Sequence, residues 1–321
     1  MEKRLKIVIL SGGPSAEHDF SLVSGQGAAA GFDPEKYEVI GVLIDREGHW
    51  SADWKDLADA DLFFSTLRGR YGEDGELQNF FEEKKVPYAG SGPLTSALAS
   101  NKFLTLKTLA DHGFTVPFTL LVSKEEWGAA PSPVLLNIKN HIGYPIVVKP
   151  NDQGSSLGVR LANNDWEFNS ALNEIFHLSR SAIIQPFVPG QEVVCGVVDF
   201  GNSESAYPLW PLEIIPLKGD KIFHTQAKNF QDNNWLIRGA TLPSLIVESI
   251  KKIALTVHKT LGCRHFSMVD MIWGQDKRLY VLETNTAPVM GENSLFGHSA
   301  AAYGKAFDVM MAGMAESARK K

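Results

Sequence analysis

The sequence predicts an α/β protein that begins with a parallel sheet covered by helices and continues with two α+β units. Strand-like apolar runs at residues 7–10 and 38–43 alternate with helical patterns, which is typical of a parallel sheet. The turn-rich segment YAGSGP, residues 88–93, ends that alternation. We therefore expect an N-terminal domain over residues 1–98, a central subdomain over 99–190 and a C-terminal subdomain over 191–321.

Composition narrows the class of protein. The net charge of −6 argues against a nucleic-acid partner, which needs a basic surface. The two cysteines, at positions 195 and 263, are far apart, which indicates a reducing compartment without structural zinc. The N-terminal apolar run breaks at Ser11 and is too short for a signal peptide or a membrane span. We expect a cytoplasmic protein with no membrane partner.

The later elements follow from periodicity and turn signals. A helical segment is predicted over residues 94–113, with Gly113 as its C-cap. A strand at 144–149 precedes a glycine loop, and strands at 183–188 and 192–200 are expected to pair around Pro189 and Gly190. The last part holds a strand at 210–215, a polar stretch at 217–234, a helix near 242–261 and two strands flanking the turn GQDK.

That last hairpin predicts a metal site. Its pairing sets Asp270 roughly opposite Glu283, and strand alternation puts Glu283 and Asn285 on one face. Three oxygen donors without histidine or thiolate suit Mg²⁺ shared with phosphates. The alternative is a pair of strand-end carboxylates held by solvent or an arginine.

Two lysines are candidates for phosphate binding. Lys149 ends a buried strand and precedes the loop NDQGSSLG, whose backbone N–H groups can face a phosphate. The loop lacks the GK[ST] of a Walker motif, and a plain hairpin turn is the alternative. Lys102 follows Ser100 and Asn101, a predicted helix N-cap pair, and a base is unusual there unless an anion binds. A solvated lysine is the alternative there.

Three further side chains are candidates for ligand contacts. Phe187 could stack on a planar base, with Glu192 on ribose hydroxyls, although an ordinary core hairpin would explain both. The turn SGGPSAE follows the first strand, where parallel α/β folds bind ligands. Glu17 could accept a substrate ammonium there, and helix capping by Glu17, Asp19 or Ser21 is the alternative.

The order of these motifs resembles the D-alanine–D-alanine ligases of the ATP-grasp superfamily. The likeness runs from Lys6 to the end of the chain through GGPSAEHDFSL, GEDGELQ, GSGPLTSALASNK, VVKPNDQGSSLGV, MVDM and LETNTAP…NSL. It implies a Rossmann-like N-terminal domain followed by two ATP-grasp subdomains. It also implies a carboxylate–amine ligase for peptidoglycan synthesis. ATP would phosphorylate one amino acid, and the amine of a second would attack the acyl phosphate.

By matching position, the resemblance implies a role for each candidate. The ATP phosphates would be held by Lys102, Lys149 and Lys228, the adenosine by Phe187 and Glu192, and Mg²⁺ or Mn²⁺ by Asp270, Glu283 and Asn285. The first amino acid would be oriented by Glu17 and Ser155, and the carboxylate of the second received by Ser294 and Leu295. The stretch 217–234 would be a lid over the acyl phosphate. A homodimer would fit the family.

Four positions depart from the family pattern, all near the amino acids. The family has arginine where Met268 stands, glycine where Val289 stands, histidine where Arg68 stands and tyrosine where Asn229 stands. A missing guanidinium at position 268 would leave the oxyanion of the tetrahedral intermediate without a donor, typically a loss of about 10²–10³ in rate. Arg68 could supply that cation. Val289 would resist a positive φ and narrow the acceptor pocket.

Three hypotheses follow. The first is a D-alanine–D-alanine ligase in which Arg68 compensates for Met268. The second is a ligase of the same superfamily with another amino acid or hydroxy acid, suggested by Asn229 and Val289. The third is a nucleotide-binding protein with little ligase activity.

Overall fold

The computed structural model describes residues 3–200, 206–217 and 235–319. Three sheets form the framework of these residues. Lys228, Asn229 and the proposed lid, apart from its first residue Leu217, lie outside the described residues. Within the described part, no helix is long and apolar enough to cross a membrane.

The first sheet is parallel, as the alternation of strands and helices predicted. Its strand order is β2-β1-β3-β4, and all three pairings are parallel. Both predicted strands are confirmed. The elements are β1 (Leu5–Gly12), α1 (His18–Ala30), β2 (Tyr37–Ile44), α2 (Trp54–Leu57), β3 (Leu62–Ser65), α3 (Glu76–Lys84) and β4 (Tyr88–Ala89).

The helical segment predicted over residues 94–113 consists of two helices, α4 (Pro93–Ser100) and α5 (Lys102–Asp111). The break occurs at Asn101, whose backbone is extended and whose side chain accepts the Leu104 N–H at 3.0 Å. Of the predicted pair Ser100 and Asn101, Asn101 is therefore the N-cap, and Lys102 is the first residue of α5. Gly113 has the left-handed φ of +82° expected just beyond a helix end.

The second sheet is antiparallel, with strand order β5-β8-β6-β7. Helix α8 covers one face with a row of buried apolar side chains. The elements are β5 (Leu120–Ser123), α6 (Lys124–Ala129), α7 (Pro131–His141), β6 (Ile146–Pro150), β7 (Arg160–Ala162), α8 (Asp165–Leu178) and β8 (Ser181–Pro186).

The third sheet is also antiparallel, with order β12-β11-β9-β13-β14 and β10 beside β9. The elements are β9 (Gly190–Val198), β10 (Tyr207–Pro208), β11 (Leu212–Pro216), β12 (Trp235–Gly239), α9 (Ser244–Thr260), β13 (Phe266–Gly274), β14 (Leu279–Asn285), α10 (Leu295–Ala302) and α11 (Phe307–Arg319).

The predicted pairing of the strands flanking Pro189 and Gly190 is wrong. Strand β8 lies between β5 and β6 in the second sheet, while β9 lies between β11 and β13 in the third. Both edges of each strand are already occupied, so the two cannot pair. The Pro-Gly pair instead carries the chain from one sheet to the next.

The first and third sheets share one hydrophobic core. Ile9 and Phe64 of the first sheet pack in the same cluster as Val194 and Phe266 of the third and Met311 of α11. The loop after β3 contacts the end of β14, where the Arg68 Nη1 donates to the Asn285 Oδ1 at 3.2 Å. We propose that the boundaries near residues 98 and 190 separate structural units, since each falls between two of the three sheets.

A buried histidine makes the free energy of unfolding depend on pH. The side chain of His258 is 1% exposed, and its Nδ1 lies 2.8 Å from the Ser267 Oγ. Burial lowers the pKa of His258 to about 4, with Asp199 opposing this effect. In the unfolded chain the same group titrates near pH 6.5, so between these values only the unfolded state takes up the proton. The free energy of unfolding should therefore fall by about 2 kcal/mol from pH 7.5 to pH 5 on account of His258.

Urea unfolding of the wild type and of His258→Asn at pH 7.5 and 5 measures this contribution. Asparagine retains a polar atom near Nδ1 but does not titrate, so its stability should depend less on pH by about that amount. Equal losses of stability in the two proteins would assign the acid sensitivity to other groups.

Candidate active site

The β13–β14 hairpin brings the three predicted metal donors to one place. Asp270 pairs directly with Glu283, and Asn285 pairs with Met268, so the predicted register is confirmed. An irregularity between Asp270 and Met271 shifts the remaining pairs by one residue. The two carboxylates and the amide therefore lie side by side at the end of the third sheet.

A large cleft lies between the second and third sheets. It encloses about 1180 Å³, part of it open to solvent. Its lining includes every described residue that was predicted to contact ATP, together with two metal donors: Lys102, Lys149, Phe187, Glu192, Asp270 and Glu283. Residues far apart in the sequence thus line one continuous cleft that carries both basic and acidic side chains.

Sequence reasoning missed the apolar walls of this cleft. They include Val147, Trp235, Met271, Ile272 and Leu282. Met271, Ile272 and Leu282 lie in the two strands that carry the metal donors, beside Asp270 and Glu283. Their positions next to the predicted metal donors could have indicated that they line the cleft. Apolar walls of this kind suit a planar base.

Lys102 and Glu283, which both line the cleft, form an ion pair. The Lys102 Nζ lies 3.0 Å from the Glu283 Oε2, and both side chains are less than one-fifth exposed. Lys149 is buried at the end of β6 and lines the same cleft. The glycine loop beyond it holds Ser155 and Ser156 in the left-handed region, with φ of 49° and 56°. Such values are uncommon for residues other than glycine and occur often at functional sites.

A smaller pocket of about 490 Å³ adjoins the cleft. It brings together most of the residues predicted to contact the amino acids, and Asp270 lines both spaces. Its lining is Phe20, Arg68, Ser155, Met268, Asp270, Asn285, Pro288, Val289, Leu295 and Phe296. Most of these side chains are apolar, and Arg68 contributes a cation.

Arg68 is buried among acceptors from three parts of the chain. Its side chain is 3% exposed. The Nη1 donates to the Asn285 Oδ1 at 3.2 Å and also to the Ala287 carbonyl, while the Nη2 lies 3.4 Å from both the Glu17 Oε1 and the Ser155 Oγ. Burial alone would lower its pKa, but nearby carboxylates raise it, so Arg68 stays charged. The guanidinium therefore lies in the same pocket as Met268.

Glu17 contacts two residues that line this pocket, Arg68 and Ser155, and does not cap its helix. It occupies the N-cap position of α1 without a side-chain capping bond, and the Ser21 Oγ instead accepts the Gly12 N–H at 2.8 Å. The Ser155 Oγ donates to the Glu17 Oε1. The other carboxylate oxygen is buried with no hydrogen-bond partner among the described residues. Glu17 and Ser155 therefore touch, as expected of two groups orienting one ligand, and Glu17 retains an acceptor.

Glu73 is a further site residue that the sequence analysis did not single out. Its Oε1 lies 3.4 Å from the Arg68 Nη1, and its side chain is only 12% exposed. Burial raises the pKa of Glu73, the adjacent Arg68 guanidinium lowers it by favouring the charged carboxylate, and Glu17 raises it further. The sequence feature that could have indicated Glu73 is its position in the motif GEDG, five residues after Arg68. Glu73 and Arg68 also line a polar cleft that reaches Glu283 and Asn285.

The beginning of α10 borders the small pocket. The Ser294 side chain caps this helix: its Oγ accepts the Gly297 N–H at 3.0 Å and donates to the Gly291 carbonyl at 2.7 Å. Leu295, the first residue of the helix, lines the pocket. A helix N-terminus favours an anion, which fits a carboxylate.

Val289 does not show the backbone conflict predicted for it. It lies outside the set of residues with positive φ, and Gly291 takes that conformation two residues later. A β-branched side chain is therefore accommodated without strain. Val289 does line the pocket, as expected.

The donor set fits a hard divalent cation completed by ligand oxygens. Among the described residues, no three histidine, cysteine or acidic side chains gather into a metal cluster. Two carboxylates and one amide suit Mg²⁺, which commonly binds one or two carboxylates together with phosphates and water. Glu283 and Asn285 already contact the cationic groups of Lys102 and Arg68, so this corner of the site attracts positive charge.

Comparisons with known proteins agree with this arrangement. The family model "D-ala D-ala ligase C-terminus" matches residues 108–316, and "D-ala D-ala ligase N-terminus" matches residues 6–60. D-alanine–D-alanine ligases from Syntrophobacter fumaroxidans and Clostridium beijerinckii are 33% and 31% identical, each match covering 96% of both chains.

The fold also matches solved structures of such enzymes. The crystal structure of D-alanine–D-alanine ligase from Bacillus anthracis complexed with ATP has a TM-score of 0.80 and 27% identity, and the match covers 99% of each chain. The architecture is therefore the ATP-grasp fold with a Rossmann-like N-terminal domain. The chain belongs to the D-alanine–D-alanine ligase family.

Proposed function

We propose that this protein joins two D-alanine molecules in an ATP-dependent reaction, giving D-alanyl-D-alanine for peptidoglycan synthesis. The observation that carries the proposal is that Asp270 lines both the large cleft and the small pocket. The phosphate end of a nucleotide and the carboxylate of an amino acid would therefore meet beside the same side chain. Membership in the family supports the choice of substrates.

In the first step, a carboxylate oxygen of one D-alanine attacks the γ-phosphorus and ADP leaves, giving an acyl phosphate. Lys102 and Lys149 line the cleft and would balance the phosphate charge. Phe187 and Glu192 would contact the base and the ribose. Asp270, Glu283 and Asn285 would hold Mg²⁺, which neutralises charge on the transferring phosphoryl group.

In the second step, the amine of the other D-alanine attacks the acyl carbon. The tetrahedral intermediate then expels inorganic phosphate, and the nitrogen loses a proton to give the amide. Glu17, whose second carboxylate oxygen has no hydrogen-bond partner among the described residues, would hold the ammonium of the first D-alanine together with Ser155. Arg68 would stabilise the oxyanion. The beginning of α10, at Ser294 and Leu295, would receive the carboxylate of the second D-alanine.

The test is phosphate release from Mg-ATP by the purified protein, alone and with a panel of D- and L-amino acids and D-lactate, with products identified by mass. Release with D-alanine and formation of its dipeptide would support the proposal. ATP binding without phosphate release under any partner would instead favour a nucleotide-binding protein with little ligase activity.

A second candidate function is ligation to a different acceptor. It is favoured by the apolar wall of the small pocket, where Met268 and Val289 join Leu295 and Phe296. Such a wall disfavours acceptors with polar side chains and admits larger apolar ones. A product formed only with another amino acid or a hydroxy acid in the same panel would favour this candidate over D-alanine.

A further inference from the structure

Arg68 would stabilise the oxyanion only if its guanidinium stays fixed while substrates bind. Three of its hydrogen-bond partners, however, have other roles in the proposed reaction. Glu17 would meet an ammonium, Ser155 would orient the same amino acid, and Asn285 would hold the metal. Each of these contacts with Arg68 is 3.2–3.4 Å long in the structure. A ligand that draws these groups toward itself would weaken their hold on the arginine.

Glu73 is the charged partner of Arg68 that has no such task. It lies on the same loop, its Oε1 is 3.4 Å from the Arg68 Nη1, and it is largely buried. Its second oxygen accepts the Gly69 N–H at 2.5 Å. One carboxylate therefore ties the side chain of Arg68 to the backbone of the next residue.

The loop itself is held by other bonds. The Arg68 carbonyl accepts from the Ser15 Oγ at 2.6 Å, the Tyr71 N–H donates to the Asp74 Oδ2 at 2.7 Å, and the Gln78 Nε2 donates to the Gly72 carbonyl at 2.7 Å. Loss of the Glu73 charge should consequently leave the loop in place and release only the arginine side chain.

Resting on the proposed function, we propose that Glu73 is the positioning residue for Arg68, holding its guanidinium in the small pocket during acyl transfer. Glu73 acts through Arg68 and touches neither substrate. The pair Arg68–Glu73 would thereby bring to this pocket, from the first domain, the cation that Met268 does not provide.

The test is a double-mutant cycle on dipeptide formation. Glu73→Gln retains an oxygen for the Gly69 N–H but presents no negative charge to Arg68. We expect kcat to fall about 10- to 100-fold, the usual effect of losing a bond to a charged group. ATP affinity should stay unchanged, because Glu73 does not line the large cleft that would hold ATP. In an Arg68→Ala background the same change should have no further effect on kcat.

Glu76→Gln is the matched control, since it makes the same chemical change on an exposed side chain three residues later. An unchanged kcat in Glu73→Gln, or an equal loss in both Arg68 backgrounds, would overturn the inference. If Arg68→Ala fails to fold, Arg68→Lys serves as the background, because one ammonium cannot reproduce the several N–H donors that a guanidinium presents in a fixed plane. Failure of the wild type to make dipeptide would instead contradict the proposed function, so the two failures are distinguishable.

Discussion

Replacement of Asp270 by asparagine is expected to reduce dipeptide formation by about 10³-fold, the scale of losing several kcal/mol of charge stabilisation. The substitution preserves the shape of the side chain and removes one negative charge. Asp270 faces Glu283 across the hairpin and lines both the cleft and the small pocket. Loss of its charge should therefore weaken metal binding and both chemical steps together.

The measurement is phosphate release and dipeptide yield at saturating ATP and D-alanine, with Mn²⁺ binding in the presence of ADP as a readout independent of turnover. Asp276→Asn is a matched control on the same hairpin, because Asp276 is bonded to Arg278 and Tyr280 in the turn and lines neither space. Normal Mn²⁺ affinity in Asp270→Asn would contradict the metal assignment.

Replacement of Arg68 by alanine is expected to lower kcat by about 10²–10³ while leaving ATP affinity intact. The reason is that Arg68 lines the small pocket but not the large cleft that would hold ATP. Among the described residues that line the small pocket, which include Met268, Arg68 is the one with a positive charge. A loss confined to kcat would show that its charge acts in the transition state.

Arg68→Ala also leaves Glu17 and Glu73 buried without their shared counter-ion, which can cost about 3–5 kcal/mol of stability. A thermal melt must accompany the kinetics, with Arg68→Lys as a second variant that keeps the charge. Arg70→Ala is the control, since Arg70 is an exposed arginine in the same loop. Equal falls in kcat and ATP affinity would count against a role for Arg68 in acyl transfer.

Some of the site could be predicted from the sequence because it depends on local geometry. The turn GQDK fixes the pairing of Asp270 with Glu283, and strand alternation puts Asn285 on the same face. Asn101 caps the start of α5 by accepting the Leu104 N–H, and Gly113, just beyond its end, donates to the Ala110 carbonyl. The order of the motifs then indicated the family without any knowledge of the fold.

Contacts between distant segments could be decided only by the tertiary structure. Arg68 and Asn285 are 217 residues apart and meet because the first and third sheets share one core. The same packing buries Glu73 beside Arg68, which no periodicity in the sequence indicated. Likewise, strands β8 and β9 are adjacent in the chain but lie in different sheets, since neighbours from elsewhere occupy their edges. Local sequence patterns determined the helices, the strands and the predicted metal donors. Long-range packing determined which charged side chains face one another.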